Sequence, residues 1–170
     1  MPLNNQQKDT IISMDTGALR KALGSFTTGV TIITALGKNG QNVGMTANSF
    51  TSVSLDPALV LWSIGRDSNC FDDFVAAEAF AVHVLASDQQ ALSNRFAKTG
   101  SDRFAGLECT EGLMGVPLLP YSSSCFQCTT ENQYDGGDHV ILVGKVHDFA
   151  DTGQEPLIFH RGNYASLQGA

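Results

Sequence analysis

Apolar positions along the chain switch between a helical and a strand spacing, and the switches mark out its elements. Residues 1–14 are polar without a sustained period, which predicts a flexible N-terminal arm. After Asp15, a residue suited to cap a helix, Ala18, Leu19, Ala22, Leu23 and Phe26 recur at helical spacing with Arg20 and Lys21 turned outward, so a packed helix is expected. Thr28 to Ala35 is dense in β-branched residues and reads as a strand; the turn signal Gly37-Lys38-Asn39-Gly40 folds it back on the segment from Gly44. Ala58 to Ile64 is a continuous apolar run of strand length, expected to be a fully buried central strand. A short helix over Cys70 to Ala77, with Ser68 or Asn69 as its cap, and a strand over Phe80 to Leu85 follow. Ser87-Asp88-Gln89-Gln90 has the form of a capping box opening a helix over Asp88 to Ala97. Asp102 to Tyr121 is rich in glycine and proline and reads as a long loop. Strands over Cys125 to Gln133 and His139 to Phe149 flank the tight turn Asp135-Gly136-Gly137-Asp138, and Leu157 to His160 with Gly162-Asn163-Tyr164 closes the pattern. No repeat or linker divides residues 15–170, which form one expected domain.

One stretch breaks the alternation. Between Gly44 and the Asp56-Pro57 turn signal, the uncharged polar side chains Thr46, Asn48, Ser49, Thr51, Ser52 and Ser54 fall on both faces of any strand drawn through them. A Ser/Thr-rich loop bonded to its own backbone accounts for this composition. So does a neutral polar ligand, such as a heteroaromatic ring edge carrying carbonyls and ring nitrogens, which needs donors and acceptors at short reach.

Composition narrows the function classes. The formal net charge of −7 argues against a nucleic-acid footprint. No apolar run approaches the roughly 20 residues of a membrane span and no signal pattern opens the chain, so a cytoplasmic protein outside the membrane is expected. Cys125-Phe126-Gln127-Cys128 is formally a C-x-x-C, but without a second pair it reads as two buried thiols more readily than as a redox or metal site. No metal site is expected from the histidines: His139 and His147 would lie about 26 Å apart along an extended strand. His83, alone on an apolar strand, reads as a bonded core histidine without a role. No nucleophile with its base, P-loop or G-x-G-x-x-G occurs, which favours chemistry carried by a cofactor that the protein positions.

Gly29-Val30-Thr31-Ile32-Ile33-Thr34, the Gly44 to Pro57 stretch and Gly137-Asp138-His139, in that order and spacing, resemble the flavin reductase family over roughly Asp15 to Leu167. These are NAD(P)H-dependent reductases of two-component flavin monooxygenases. The resemblance implies a mainly β fold, an antiparallel Greek-key split β-barrel with a few short peripheral helices, assembled as a homodimer. It implies FMN or FAD as cofactor, NADH or NADPH as hydride donor, and a flavin-dependent monooxygenase as the partner that receives reduced flavin. In similar proteins Thr46, Ala47, Asn48 and Ser49 would hold the isoalloxazine edge, Ser52 and Val53 would reach the ribityl side, and Phe50 would belong to the same cofactor site. Ser68 would lie near the phosphate, as a helix-start position allows, although a cap without a ligand is the plainer reading. Phe96 would border the flavin and Lys98 its phosphate, or else Phe96 is core and Lys98 a helix-end cation. His139 would contact the nicotinamide, or bond to Asp138 as a turn histidine, and Tyr164 would help cover that ring. No side chain is expected to act as a catalytic acid or base. The alternatives are a flavin-binding electron-transfer module without turnover, and a related reductase acting on a corrinoid or ferric chelate.

Overall fold

The computed structural model describes residues 14–100 and 102–167; the expected arm lies, Met14 apart, outside the described residues. Asp15 is extended, and its carboxylate accepts from the N–H groups of Gly17 (2.8 Å) and Ala18 (3.1 Å), which starts α1 (Thr16–Leu23) where the sequence places it. The expected packing of this helix is not seen. None of its residues is buried, and Leu19, Leu23 and the following Phe26 are 41%, 66% and 79% exposed. An apolar stripe identifies a face that wants cover without saying what covers it.

The strand expected over Thr28 to Ala35 is two strands. Val30 accepts from Leu85 N–H and donates to Leu157 O, which splits β1 (Thr28–Gly29) from β2 (Thr31–Leu36). β1 joins a three-stranded sheet with β11 (Ile158–His160) and β12 (Asn163–Ala165), in the order β1-β11-β12. β2 enters the main sheet. That sheet also holds β3 (Asn42–Ala47), β4 (Thr51–Leu55), β5 (Ala58–Gly65), β6 (Ala79–Val84), β9 (Ser124–Gly136) and β10 (His139–Asp151). Its order is β3-β2-β6-β9-β10-β5-β4, and every pairing is antiparallel. The two edge strands, β3 and β4, are consecutive in the chain, joined only by residues 48–50. A flat sheet of seven strands would hold its edges about 29 Å apart, whereas this link reaches about 14 Å fully extended. The sheet therefore coils until its edges nearly meet, although no ladder joins β3 to β4.

Ile33, Val60, Trp62, Ile64, Phe74, Phe80, Val82 and Leu142 form a cluster inside the coil, with Trp62 edge-on to Phe74 at 5.0 Å. A second cluster, Val30, Ile32, Leu85, Phe96, Leu119 and Leu157, packs behind β2. Thus β2 and β6 are covered on both faces and are buried at every position but the last, with Thr31, Thr34 and His83 as their buried polar residues. β5 does not match its expectation: Val60, Trp62 and Ile64 are buried while Leu59, Leu61 and Ser63 are half-exposed, because one face of the strand meets the core cluster and the other is only partly covered.

The helices shift slightly. α2 spans Phe71–Ala76 with Cys70 at its cap position, and Ser68 stands before it, its Oγ accepting from Cys70 N–H at 3.3 Å and its carbonyl from Phe71 N–H at 3.0 Å. α3 spans Gln90–Ala97 and the capping box is not formed; Gln89 instead accepts from Ala86 N–H and donates to Pro120 O. Within the expected long loop, β7 (Thr110–Glu111) and β8 (Pro117–Leu118) make a small hairpin. Its far end is held by His83. Nε2 accepts from Leu119 N–H (3.1 Å), so Nδ1 carries the hydrogen and donates to Ile32 O (3.2 Å). Complete burial lowers this imidazole to about 4 and keeps it neutral. The cysteines are free thiols, and burial pushes Cys125 up to about 11 and Cys128 up to about 12.

Candidate functional site

The polar stretch is explained by the link between the sheet edges. β3 ends at Ala47 and β4 begins at Thr51, so the polar residues belong to two strands and an arch rather than to one strand. In the arch, Ser49 Oγ accepts from Ser63 N–H (3.0 Å) and donates to Ser63 O (3.1 Å). The pairing of Thr51 with Leu61 would put Ser49 opposite Ser63, so the hydroxyl replaces the next rung of the β4–β5 ladder. As a result the backbone of the arch is released. Among the described residues, the N–H groups of Asn48, Ser49 and Phe50 have no acceptor and the exposed Asn48 amide has no partner.

Beside the arch, Val30, Thr46, Ala47, Asn48, Ser93, Ala97, Phe159 and Tyr164 line a groove of about 220 Å³. Its wall is fixed by a relay of hydroxyls. Thr46 Oγ1 donates to Ser93 O (2.6 Å), Ser93 Oγ meets the Tyr164 hydroxyl at 2.8 Å, and that hydroxyl donates to Asn94 Oδ1 (3.0 Å). Tyr164, half-buried, also lies edge-on to Phe159 at 5.5 Å. β3, β12 and α3 are thereby tied around one hollow, and of the arch residues Asn48 lines it, with its unengaged amide.

The structure brings Thr46, Ala47, Asn48 and Tyr164 to this groove. His139 lies along β5 from the arch, at Gly65, two residues beyond the Ser63 that Ser49 grips. A Cβ at Gly65 would sit 2.8 Å from Asp67 Oδ1 and 3.6 Å from His139 Nε2, so this position is held open by a glycine. His139 Nδ1 bonds Asp138 Oδ1 at 2.7 Å, and that hydrogen bond holds the Asp138 carboxyl below its ordinary range. Arg66, over the Phe71 ring, pairs with Asp135 in the same turn.

The remaining sequence-predicted residues stand apart from the groove. Phe50 stacks on Phe126 at 5.8 Å. Ser52 and Val53 lie exposed on β4, with Val53 in a bulge. Ser68 Oγ contacts Met45 Sδ at 3.9 Å. Phe96 is completely buried, edge-on to Phe104 at 5.1 Å and against Gly44, where a Cβ would come within 2.7 Å of its ring. Lys98 is exposed, and its carbonyl accepts from Arg103, which also donates to Gly44 O (2.5 Å). Ser93 and Phe159 were not singled out from sequence. Ser93 lies four residues before Ala97, hence on the same face of α3, a spacing that marks it; Phe159 carries no such mark.

No helix among the described residues is long and apolar enough to cross a membrane, and no described group of His, Cys, Asp or Glu could hold a metal ion. The flavin reductase like domain matches residues 23–168. The chain belongs to this family. It is 47% identical over 146 residues to the reductase component of a flavin-dependent trigonelline monooxygenase from Acinetobacter baylyi, covering 86% of this chain and 47% of that one. It is 45% identical over 147 residues to an NADH-dependent FMN reductase, SmoA, from Agrobacterium fabrum, covering 86% and 83%. The chain spans about half the length of some curated relatives it matches. Among solved structures, an NADH:FAD oxidoreductase of Streptomyces globisporus in complex with NAD and FAD fragments superposes with a TM-score of 0.85 at 36% identity, covering 91% of this chain and 93% of that one.

Proposed function

We propose that this flavin reductase family member oxidises NADH or NADPH, reduces FMN or FAD, and passes the reduced flavin to a separate monooxygenase. The observation that carries this reading is the arch: three adjacent unpaired N–H groups and a free amide, without a charge among them, in a link whose Asn48 lines the adjoining half-apolar groove. Such a donor set fits the carbonyl and nitrogen edge of an isoalloxazine ring. The names of the relatives point the same way. When bound, the two cofactors supply the chemistry themselves, a hydride passing from nicotinamide to flavin N5.

The chain's own residues then orient and exclude. Asn48 and the arch N–H groups hold the ring edge and stabilise negative charge on it. Ser49 keeps those groups free by completing the ladder with its side chain. Thr46, Ala47 and Tyr164 shape the wall, with Phe96 fixing it from behind. His139 meets the nicotinamide at the open end of β5, and Ser52, Val53, Ser68 and Lys98 lie towards the ribityl and phosphate side. The coiled sheet is read as a split barrel, and exposed Val53, Leu55 and Phe149 as part of the contact between two copies. Anaerobic mixing with each nicotinamide and each flavin, followed at the oxidised-flavin absorbance band, tests the proposal. Bleaching, with NADH turnover far above the enzyme concentration when FMN is in excess, is the expected result. Flavin binding without NAD(P)H oxidation would make the chain a carrier instead. His139→Ala should raise the KM for the nicotinamide more than the Kd for flavin.

A further inference from the structure

Cys125-Phe126-Gln127-Cys128 lies on β9, and its four side chains divide between the two faces of that strand. Cys125 packs against a cluster of Ala79, Ala81 and Val116, and Gln127 ties down the turn between β7 and β8, accepting from Leu113 N–H (2.7 Å) and donating to Asp148 Oδ2 (3.0 Å). Phe126 and Cys128 belong to the other face, with the cluster inside the coil. Both thiols are free. The side chain of this segment that reaches the arch is the Phe126 ring.

Phe126 is the middle of a stack. Its ring lies 5.8 Å from that of Phe50, with 25° between the planes, and 6.4 Å from that of Phe149, with 22° between them. Phe149 is directly opposite Phe126 in the β9–β10 ladder, so the backbone itself brings these two rings together. Phe50 has no such support. It is the last residue of the arch, and its N–H has no acceptor among the described residues. What fixes it is the ring beneath it. The arch is therefore pinned at two points on different strands: Ser49 by its hydroxyl to Ser63 on β5, and Phe50 by its ring to β9, which lies two strands further into the sheet. Because the ring and the N–H of Phe50 hang from one Cα, moving the ring turns the donor.

Filling the core does not account for this stack. Trp62, Phe74 and Phe80, which do fill the coil, are at most 2% exposed, whereas Phe50 and Phe126 are half-buried and Phe149 is 68% exposed. Rings so open to water owe less to burial and more to the geometry of the pair.

We propose that Phe126 is a positioning residue for the flavin: through Phe50 it sets the direction of the arch N–H groups that meet the ring edge, without touching the flavin itself. The inference rests on reading the arch as the flavin-binding edge.

The test compares Phe126→Leu, which keeps an apolar side chain and removes the stack, with Phe126→Tyr, which keeps the stack. Dissociation constants for FMN and FAD, the KM for NADH at saturating flavin, and the flavin-free emission of Trp62, the single tryptophan of the chain, are measured for each and for wild type. Phe126→Leu should bind flavin about threefold to tenfold more weakly, the worth of one aromatic pair, while its KM for NADH stays within about twofold. Phe126→Tyr should restore flavin binding, and Trp62 emission should be the same in all three proteins. Wild-type flavin binding by Phe126→Leu overturns the inference, since the ring then only occupies space. So does a loss shared equally by flavin and NADH, a loss that Phe126→Tyr repeats, or one accompanied by a red shift of Trp62 emission, which would make it a fault of the core. A wild-type chain that binds neither FMN nor FAD overturns the reading of the arch and this inference together.

Discussion

α1 and α3 are both eight residues long, both carry an apolar stripe, and both flank the groove region, yet one is anchored and the other is not. α3 buries Ser93 and Phe96, the first bonded to β3 and β12 and the second wedged against Gly44. α1 buries nothing, and its charged end faces an open cavity. The difference lies in what meets each stripe. α3 lands on β3, whose Gly44 lacks the Cβ that would keep the Phe96 ring away, whereas α1 rests on the rest of the chain mainly through Gly24 and the Arg161 turn. One helix is thus part of the frame that sets the groove, and the other forms a wall that remains available.

The sharpest way to break this comparison is Phe96→Ala. Truncating a completely buried aromatic ring should cost about 3–5 kcal/mol, read as a lower midpoint in urea denaturation. A loss below about 1 kcal/mol would mean that α3 is no better anchored than α1. Next in size is the pH response of the frame. Burial depresses the His83 imidazole from 6.5 to about 4, so its neutral form stabilises the fold fully above pH 6.5. That contribution is lost as the pH falls from 6.5 through about 4, amounting to something on the order of 3 kcal/mol. His83→Asn should flatten the stability profile over this window, and an equally steep profile in the variant would assign the acid sensitivity to other groups. Smaller again is Thr46→Val, which removes the hydroxyl donor to Ser93 O. It should cost about 1 kcal/mol, because the buried Ser93 carbonyl keeps its helical donor within α3 and loses only the hydroxyl. Asn48→Ala, by contrast, should leave stability within about 0.5 kcal/mol of wild type and weaken flavin binding about tenfold. An unaltered titration with flavin would remove the arch from the site.

How much of this was legible in the sequence follows from the same division. Local signals were read correctly where the chain satisfies itself locally, as at the Asp15 cap and the two-residue turn whose Gly137 takes φ 78°. The polar stretch was visible as an anomaly, but its cause was not. Nothing in the order of residues 44–57 says that β3 and β4 lie on opposite edges of one sheet, since that depends on five other strands coiling between them. Ser49 could be marked as a site residue from the resemblance, although its ladder-completing bond to Ser63 is a tertiary fact. The capping box failed for a related reason: Gln89, rather than Gln90, takes the backward bond, from Ala86 N–H, while its amide N–H reaches Pro120 O, 31 residues away, a tertiary contact that local spacing does not show. Phe159 stayed hidden because a three-residue strand offers too short a pattern to show a face.

The smallest expected effect is the most informative about α1. Leu23 is 66% exposed, so Leu23→Ala removes little buried surface and exchanges one strong helix former for another. In dilute protein its effect on stability should stay within about 0.5 kcal/mol. If a second copy of the chain covers this helix, however, the variant loses stability only at concentrations where copies associate, because association adds to stability by mass action. Denaturation midpoints at two widely separated protein concentrations distinguish the cases. A wild-type midpoint that rises with concentration more steeply than that of Leu23→Ala would place the α1 stripe in an interface between copies. Parallel dependences would leave the stripe as a wall of the open cavity alone, and a loss of about 2 kcal/mol or more at every concentration would show that α1 is anchored after all, as α3 is.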